Sequence, residues 1–143
     1  MASDIHVVKF LKINENALIP TKADPGSVGY DVYCISDFKL DPGERRLIGT
    51  GLSSEFYGDF YLRIAPRSGL AVKGVDILAG VEDSSYRGEI KVIMINHSAD
   101  TLSFKKHDRI AQFIFERVMP VLLMETNYLN ESSRMGGFGS TGN

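Results

Sequence analysis

The chain has 143 residues, 43% of them hydrophobic and 24% charged, with a formal net charge of −2. That length buries a core without disulfide or metal staples and reads as a single domain, 1–143, while the near-neutral balance offers no broad basic field for nucleic acid. Cys34 is the sole cysteine and has no internal disulfide partner, which fits a reducing compartment or indifference to redox.

The N-terminus "MASDIHVVKF" lacks a signal-type apolar run, and no stretch approaches membrane-spanning length. The expectation is a soluble intracellular protein of cytoplasm or nucleus, without membrane or direct nucleic-acid partners. β-Branched and aromatic runs predict strands at 5–11, 29–34, 46–56 and 59–65, then at 89–96 and 109–118. Between them "ADPGS", "DPGE", "YGD", "EDSSYRG" and "NHSAD" carry turn chemistry. The one helical signal is 68–74, with Ser68 placed as N-cap and Gly74 as the stop. Residues 80–91 read as a β-hairpin with "DSSYRG" as its loop.

Within 89–96, Lys91, Ile93 and Ile95 alternate with Val92, Met94 and Asn96, and both sets are largely apolar. This predicts burial on both faces, inside a sandwich or at a subunit contact. The run 109–118 is similar, with Arg109 and Gln112 as polar exceptions. From about Leu129 the chain turns polar and glycine-rich, which predicts a mobile arm over 129–143. The sum is an all-β, jelly-roll-like sandwich or barrel whose edges are managed by closure or association.

Chemistry concentrates in five stretches. In "IAPRSGLAVKG", Arg67, Ser68 and Gly69 bring a guanidinium, a hydroxyl and free backbone N–H groups to a helix start, a set that suits phosphate as well as a plain surface turn. In "AGVEDSSYRGEIKV", Asp83 and Tyr86 flank a tight loop; taken alone they read as a turn-former and a packing residue. Asp31 sits just inside an apolar strand, where an acid needs a cation, a network or solvent. Gln112 interrupts another strand in the same way. The closing "GGFGSTG" is no Walker A loop, having neither the lysine nor a following helix. His6, His97 and His107 are scattered, and with one cysteine they make no zinc pattern.

Taken in order and spacing, "ADPGSVGYD", "APRSGLA", "GVEDSSYRGEI", "DRIAQFIFER" and "GGFGSTG" resemble the five motifs of the trimeric deoxyuridine triphosphatases (dUTPases), from about residue 17 to the end. The resemblance implies a jelly-roll homotrimer whose active sites are each built from three chains. One subunit would supply Asp31, Arg67, Ser68 and Gln112, a second the loop around Asp83, and a third the C-terminal arm. The implied reaction is dUTP plus water giving dUMP and pyrophosphate, with Mg²⁺. Asp83 falls on the position that activates the water. Asp31 matches the acid that orders metal-bound waters, not a direct ligand. Tyr86 matches the ring that packs on deoxyribose and leaves no room for a 2′-hydroxyl. Main-chain groups of Gly80, Val81 and Lys91 would read the uracil edge. Phe138 would stack on the base, while Arg134, Gly139, Ser140 and Thr141 close over the phosphates.

The chain departs from the family pattern in three places. Glu82 stands where Ile or Val usually precedes the catalytic Asp, with Ser85 where an acid is frequent. It could raise the pKa of Asp83, although strand alternation should point the two to opposite faces. His107 replaces a turn glycine. Arg134 lies four residues before Phe138 where five are usual, a shift of about 3.3 Å in an extended chain. Three rivals follow from the same residues, one of them a purely structural jelly roll that would have no use for Asp83, Gln112 and the arm. A dCTP deaminase needs a catalytic Glu in the strand after the hairpin, and "IKVIMIN" has no acid. A catalytically weak, nucleotide-binding regulatory protein is separated from the enzyme by turnover alone.

Overall fold

A computed structural model describes residues 5–139. Strands β1 (Lys9–Lys12), β2 (Tyr30–Tyr33), β3 (Phe38–Leu40), β4 (Arg45–Gly49), β5 (Leu52–Glu55) and β6 (Phe60–Ala65) precede one short helix, α1 (Ser68–Val72). Strands β7 (Val75–Leu78), β8 (Val81–Glu82), β9 (Lys91–Asn96), β10 (Leu102–Phe104) and β11 (Arg109–Arg117) follow. All pairings are antiparallel. The principal sheets run β2-β11-β6-β8 and β4-β9-β7, with the pairs β1-β5 and β10-β3 beside them. The fold is all-β, as the turn-rich sequence predicts.

Each principal sheet is organised by one of the long apolar strands. β11 lies between β2 and β6, and β9 between β4 and β7, so both are paired along both edges. Val32, Leu62, Ile64 and Phe113 from the first sheet join Ile48, Val92 and Met94 from the second in a single buried cluster. A register shift between Arg109 and Ala111 breaks strict alternation, which lets both Ile110 and Ala111 turn inward. Asn96 is buried at the end of β9, and its Nδ2 donates to the carbonyls of Leu40 and Asp100 at 2.9 and 2.8 Å. A buried amide is tolerated there because it is hydrogen-bonded.

Several local expectations change. The run 46–56 divides into β4 and β5 because Thr50 and Gly51 (φ 71°) turn the chain between them. The helix begins at Ser68 itself: Arg67 is the N-cap, in extended conformation and without a side-chain cap. Gly74 closes it at φ 98°, as a C-terminal glycine does. Residues 80–91 are not a self-paired hairpin. β8 pairs with β6, whereas β9 pairs with β7 and β4. Ala79 (φ 59°) and Gly80 (φ 84°) redirect the chain from one sheet to the other, so the segment bridges the sandwich. His107 takes φ 72°, the left-handed region that glycine adopts without cost. Its imidazole Nε2 lies 2.7 Å from the carbonyl of Asn16.

Candidate active site

The β2-β11-β6 sheet places three sequence-distant motifs in one row. Asp31 pairs with Gln112, and Gln112 pairs with Ala65 on the far side. The chain leaving β6 carries Pro66 and Arg67 over this row. Gln112 Nε2 donates to the Pro66 carbonyl at 2.8 Å. Its amide fills the space beside Gly29, where a Cβ would overlap it. Arg67 Nε donates to Asp31 Oδ1 at 3.3 Å, and Arg109 Nη1 approaches Asp31 Oδ2 at 3.5 Å. Arg67 Nη1 also donates to the Arg109 carbonyl at 3.2 Å.

Asp31, only 9% exposed, therefore has the cationic partners that its position in an apolar strand requires. Two guanidiniums against one carboxylate leave net positive charge, and both arginine side chains reach solvent. That arrangement suits an anion of the phosphate class. Beside it, Ser68 and Gly69 are exposed. Their N–H groups lie ahead of the first intrahelical bond, which is made by Leu70 N to the Arg67 carbonyl. Arg109 was legible only as a polar exception in its strand; a cation three residues before Gln112 was the available signal.

Asp83 and Tyr86 lie elsewhere. β6 and β8 pair Arg63 with Val81 and Leu62 with Glu82, so Asp83 continues toward Tyr61. It lines a depression with Tyr61, Ser84 and Ser85. Arg67 leaves the opposite end of β6, about 13 Å away at 3.3 Å per residue over Tyr61 to Ala65. Within one protomer the proposed base and the proposed phosphate clamp are thus far apart. Gly80 sits against Ile64, whose N–H donates to the Gly80 carbonyl at 2.8 Å. A Cβ at Gly80 would collide with the Ile64 carbonyl. The pairing of β7 with β9 stops at Leu78 and Ile93, so Gly80 and Val81 part there from Lys91, which pairs with Gly49.

Tyr86 turns back on its own loop. Its N–H donates to the Asp83 carbonyl at 3.1 Å, and its hydroxyl donates to the Glu89 carbonyl at 2.9 Å. Beside Asp83 stands the carboxyl of Glu82. Burial, with the Asp83 charge second, pushes it up to about 7, and Oε1 is buried without a hydrogen-bond partner. Directly opposite it stands Leu62, fully buried. An acid on the core-facing side of β8 is what desolvates it.

Val118 and Pro120 line the same depression as Asp83, and the described residues after them are exposed. From Val118 to Gly139 no helix or strand forms, and Val121, Leu122, Leu123, Met124, Tyr128 and Leu129 are all exposed. Arg134, Phe138 and Gly139 are likewise exposed. Ser140 and Thr141 lie outside the described residues. Among the described residues no helix is long and apolar enough to cross a membrane.

Comparison with known proteins converges on one family. The family model described as dUTPase matches residues 15–142. The chain is 45% identical over 139 residues to a deoxyuridine 5′-triphosphate nucleotidohydrolase of Nautilia profundicola, covering 94% of this chain and 98% of the relative. It is 46% identical over 136 residues to the protein of the same name from Vaccinia virus (strain Copenhagen), covering 94% and 92%. Among solved structures, the Staphylococcus bacteriophage 80alpha dUTPase with dUPNHPP superposes with a TM-score of 0.86 at 20% identity, covering 95% of this chain and 98% of that one. A mutant dUTPase of phage phi11 of S. aureus, described as revealing the coordination of a structural Mg(II) ion, gives a TM-score of 0.81 at 18% identity and covers 87% and 99%.

Proposed function

This chain belongs to the dUTPase family, and from that premise we infer that it hydrolyses dUTP to dUMP and pyrophosphate, limiting uracil in DNA and supplying dUMP for thymidylate synthesis. The observation that carries the reading is the Asp31–Arg67–Arg109 cluster beside Gln112. It is a preformed anion site on a chain whose carboxylate Asp83 is held at the other end of β6.

Separation of the clamp from Asp83 supports a site completed by further copies. One subunit would supply Asp31, Arg67, Ser68, Gly69 and Gln112; a second the loop carrying Asp83 and Tyr86; a third its C-terminal arm. A homotrimer satisfies this, and the exposed apolar segment after β11 supports it, since a row of uncovered aliphatic side chains calls for a partner surface. The domain is then 1–143 with 129–143 as its C-terminal arm, working in the cytoplasm or nucleus where the deoxynucleotide pool lies. Nucleic acid and membrane are not partners in this reading.

Asp83 would accept a proton from the water that attacks the α-phosphorus in line. Arg67, with the Ser68 hydroxyl and the Ser68 and Gly69 N–H groups, would hold the phosphate oxygens as charge develops on them. Gln112, tied to Pro66, would keep that segment in place. Main-chain groups of Gly80, Val81 and Lys91 would read the uracil edge, where β7 and β9 part. Tyr86 would pack on the deoxyribose and exclude a 2′-hydroxyl. Phe138 would stack on uracil while Arg134, Gly139, Ser140 and Thr141 close over the phosphates.

Mg²⁺ fits this site only as a hydrated ion. No group of three or more His, Cys, Asp or Glu gathers among the described residues to cage a metal. Asp31 faces two guanidiniums but keeps further lone pairs for water. Asp31 would then hold metal-bound waters rather than the ion itself, the mode Mg²⁺ favours beside phosphates. When bound, the ion would neutralise charge on the triphosphate.

Glu82 favours one second reading, a dUTP-binding regulatory protein of weak turnover, because its desolvated carboxyl adjoins the proposed base. The deciding assay is pyrophosphate release with Mg²⁺ from dUTP, dTTP, dCTP and UTP, with Asp83→Asn beside the wild type. Release from dUTP alone, lost in the variant, is the expected result. Tight dUTP binding with negligible release would favour the regulatory protein.

A further inference from the structure

The loop that carries Tyr86 spans two sheets and makes no hairpin of its own, so its position depends on what it is fastened to. Its fastening is the corner between β4 and β5. Glu89 Oε2 accepts the Gly51 N–H at 2.9 Å. Gly49 clears the bed for this carboxylate, because a Cβ there would press on it. Next along the loop, the Ile90 carbonyl accepts from Thr50 Oγ1 at 2.6 Å, and the Ile90 N–H donates to the Leu52 carbonyl at 2.8 Å. Ser53 Oγ donates to the Arg87 carbonyl at 2.6 Å.

Tyr86 is coupled to the same fastening from above. Its hydroxyl donates to the main-chain carbonyl of Glu89, and it occupies the space over Gly88 where any Cβ would collide with the ring. The residue whose side chain grips the β4–β5 corner is thus the residue whose carbonyl fixes the far end of the ring. Another charged contact of the loop, Arg87 to Glu55 at 3.9 Å, is solvent-exposed on both sides and contributes little.

We propose that Glu89 is a positioning residue for sugar selectivity: by gripping the Gly51 N–H it holds the Tyr86 ring where a ribose 2′-hydroxyl would have to fit. The inference rests on the reading of Tyr86 as the deoxyribose-facing ring. A ring that drifts by a fraction of its own thickness admits the hydroxyl, so loosening the latch should relax selectivity before it stops the chemistry at Asp83.

The test is the ratio of kcat/KM for dUTP over UTP in the full-length protein, with thermal melts alongside. Glu89→Ala is expected to lower the ratio by at least about tenfold. Glu89→Gln should stay near wild type, because its amide oxygen can accept the same N–H. Glu89→Asp, one methylene short of Gly51, should fall with the alanine variant and replaces it if that variant does not fold. Tyr86→Ala is the control, and its ratio must also fall. If Tyr86→Ala lowers the ratio and neither Glu89→Ala nor Glu89→Asp does, Glu89 is only a structural anchor and the proposal is overturned. If Tyr86→Ala leaves the ratio unchanged, the role of Tyr86 fails and the proposal goes with it.

Discussion

Asp31 and Gln112 stand opposite each other across β2 and β11, and each fastens the segment that follows β6, Asp31 through Arg67 and Gln112 through Pro66. Asp31→Asn keeps the shape but removes the charge between two guanidiniums. Arg67 then loses its orientation and two cations face each other without a counter-ion. A loss of about 10- to 100-fold in kcat/KM is expected, the usual cost of removing an orienting partner, together with about 1–2 kcal/mol of stability. Steady-state kinetics and denaturant melts measure both, and a variant with wild-type kinetics would remove Asp31 from the site.

Gly80 occupies φ 84°, and a Cβ added there would collide with the Ile64 carbonyl. Alanine there meets both left-handed strain and a backbone clash that no side-chain rotation relieves. Gly80→Ala should cost about 1–3 kcal/mol and weaken dUTP binding, since the Gly80–Val81 main chain is part of the proposed base-reading edge. Gly69→Ala is the contrast, because nothing lies within 4 Å of a Cβ at that position. Equal melting temperatures for Gly80→Ala and wild type would contradict the geometry.

Arg67 and Ser68 are legible as candidates in the sequence because phosphate binding favours particular residue types, which leave a trace in a single chain. The strand runs were found for the same reason: alternation and β-branching are local. The partners of those runs were not. Residues 80–91 look like a hairpin because a turn lies between two apolar segments, yet β8 pairs with β6 and β9 with β7. Pairing is decided by distant strands and by two positive φ angles at Ala79 and Gly80. The three-residue strands β3 and β10 are too short to show a period. Arg109 leaves no such trace, because only the fold brings it to Asp31. Glu89 was overlooked because its partner is a main-chain N–H, which has no signature.

Glu82 should make stability fall as pH rises. Its carboxyl stands at 4.5 before folding and is pushed up to about 7 in the fold, first by burial and then by the Asp83 charge. The folded state therefore binds more protons than the unfolded state between these values, and stability decreases through that window. The penalty is absent well below 4.5 and complete above about 7. Because the carboxyl is only half-buried, solvent reduces the penalty to the order of 1 kcal/mol. Glu82→Gln removes the titration, so its melting temperature should exceed wild type at about pH 8 and converge with it at about pH 4. A constant offset across that range would place the effect in packing instead of charge.

The arm tests the shared site most directly. Arg134, Phe138 and Gly139 are exposed, and ordering such a segment costs about 1–2 kcal/mol per residue in backbone entropy. It should therefore close only when nucleotide supplies contacts, chiefly the Phe138 stack on the base, worth about 1–3 kcal/mol. The contacts that matter most form as charge builds on the phosphates, so closure serves the transition state more than ground-state binding. Deleting residues from Gly136 onward should lower kcat by well over about tenfold while dUTP affinity changes by only a few-fold. Mixing this truncated chain with full-length Asp83→Asn should restore part of the activity, because a full-length arm can reach a site that carries an intact Asp83 from a truncated chain. Mixing without recovery of activity, in mixed trimers verified by native mass spectrometry, would mean that one chain supplies both the arm and Asp83.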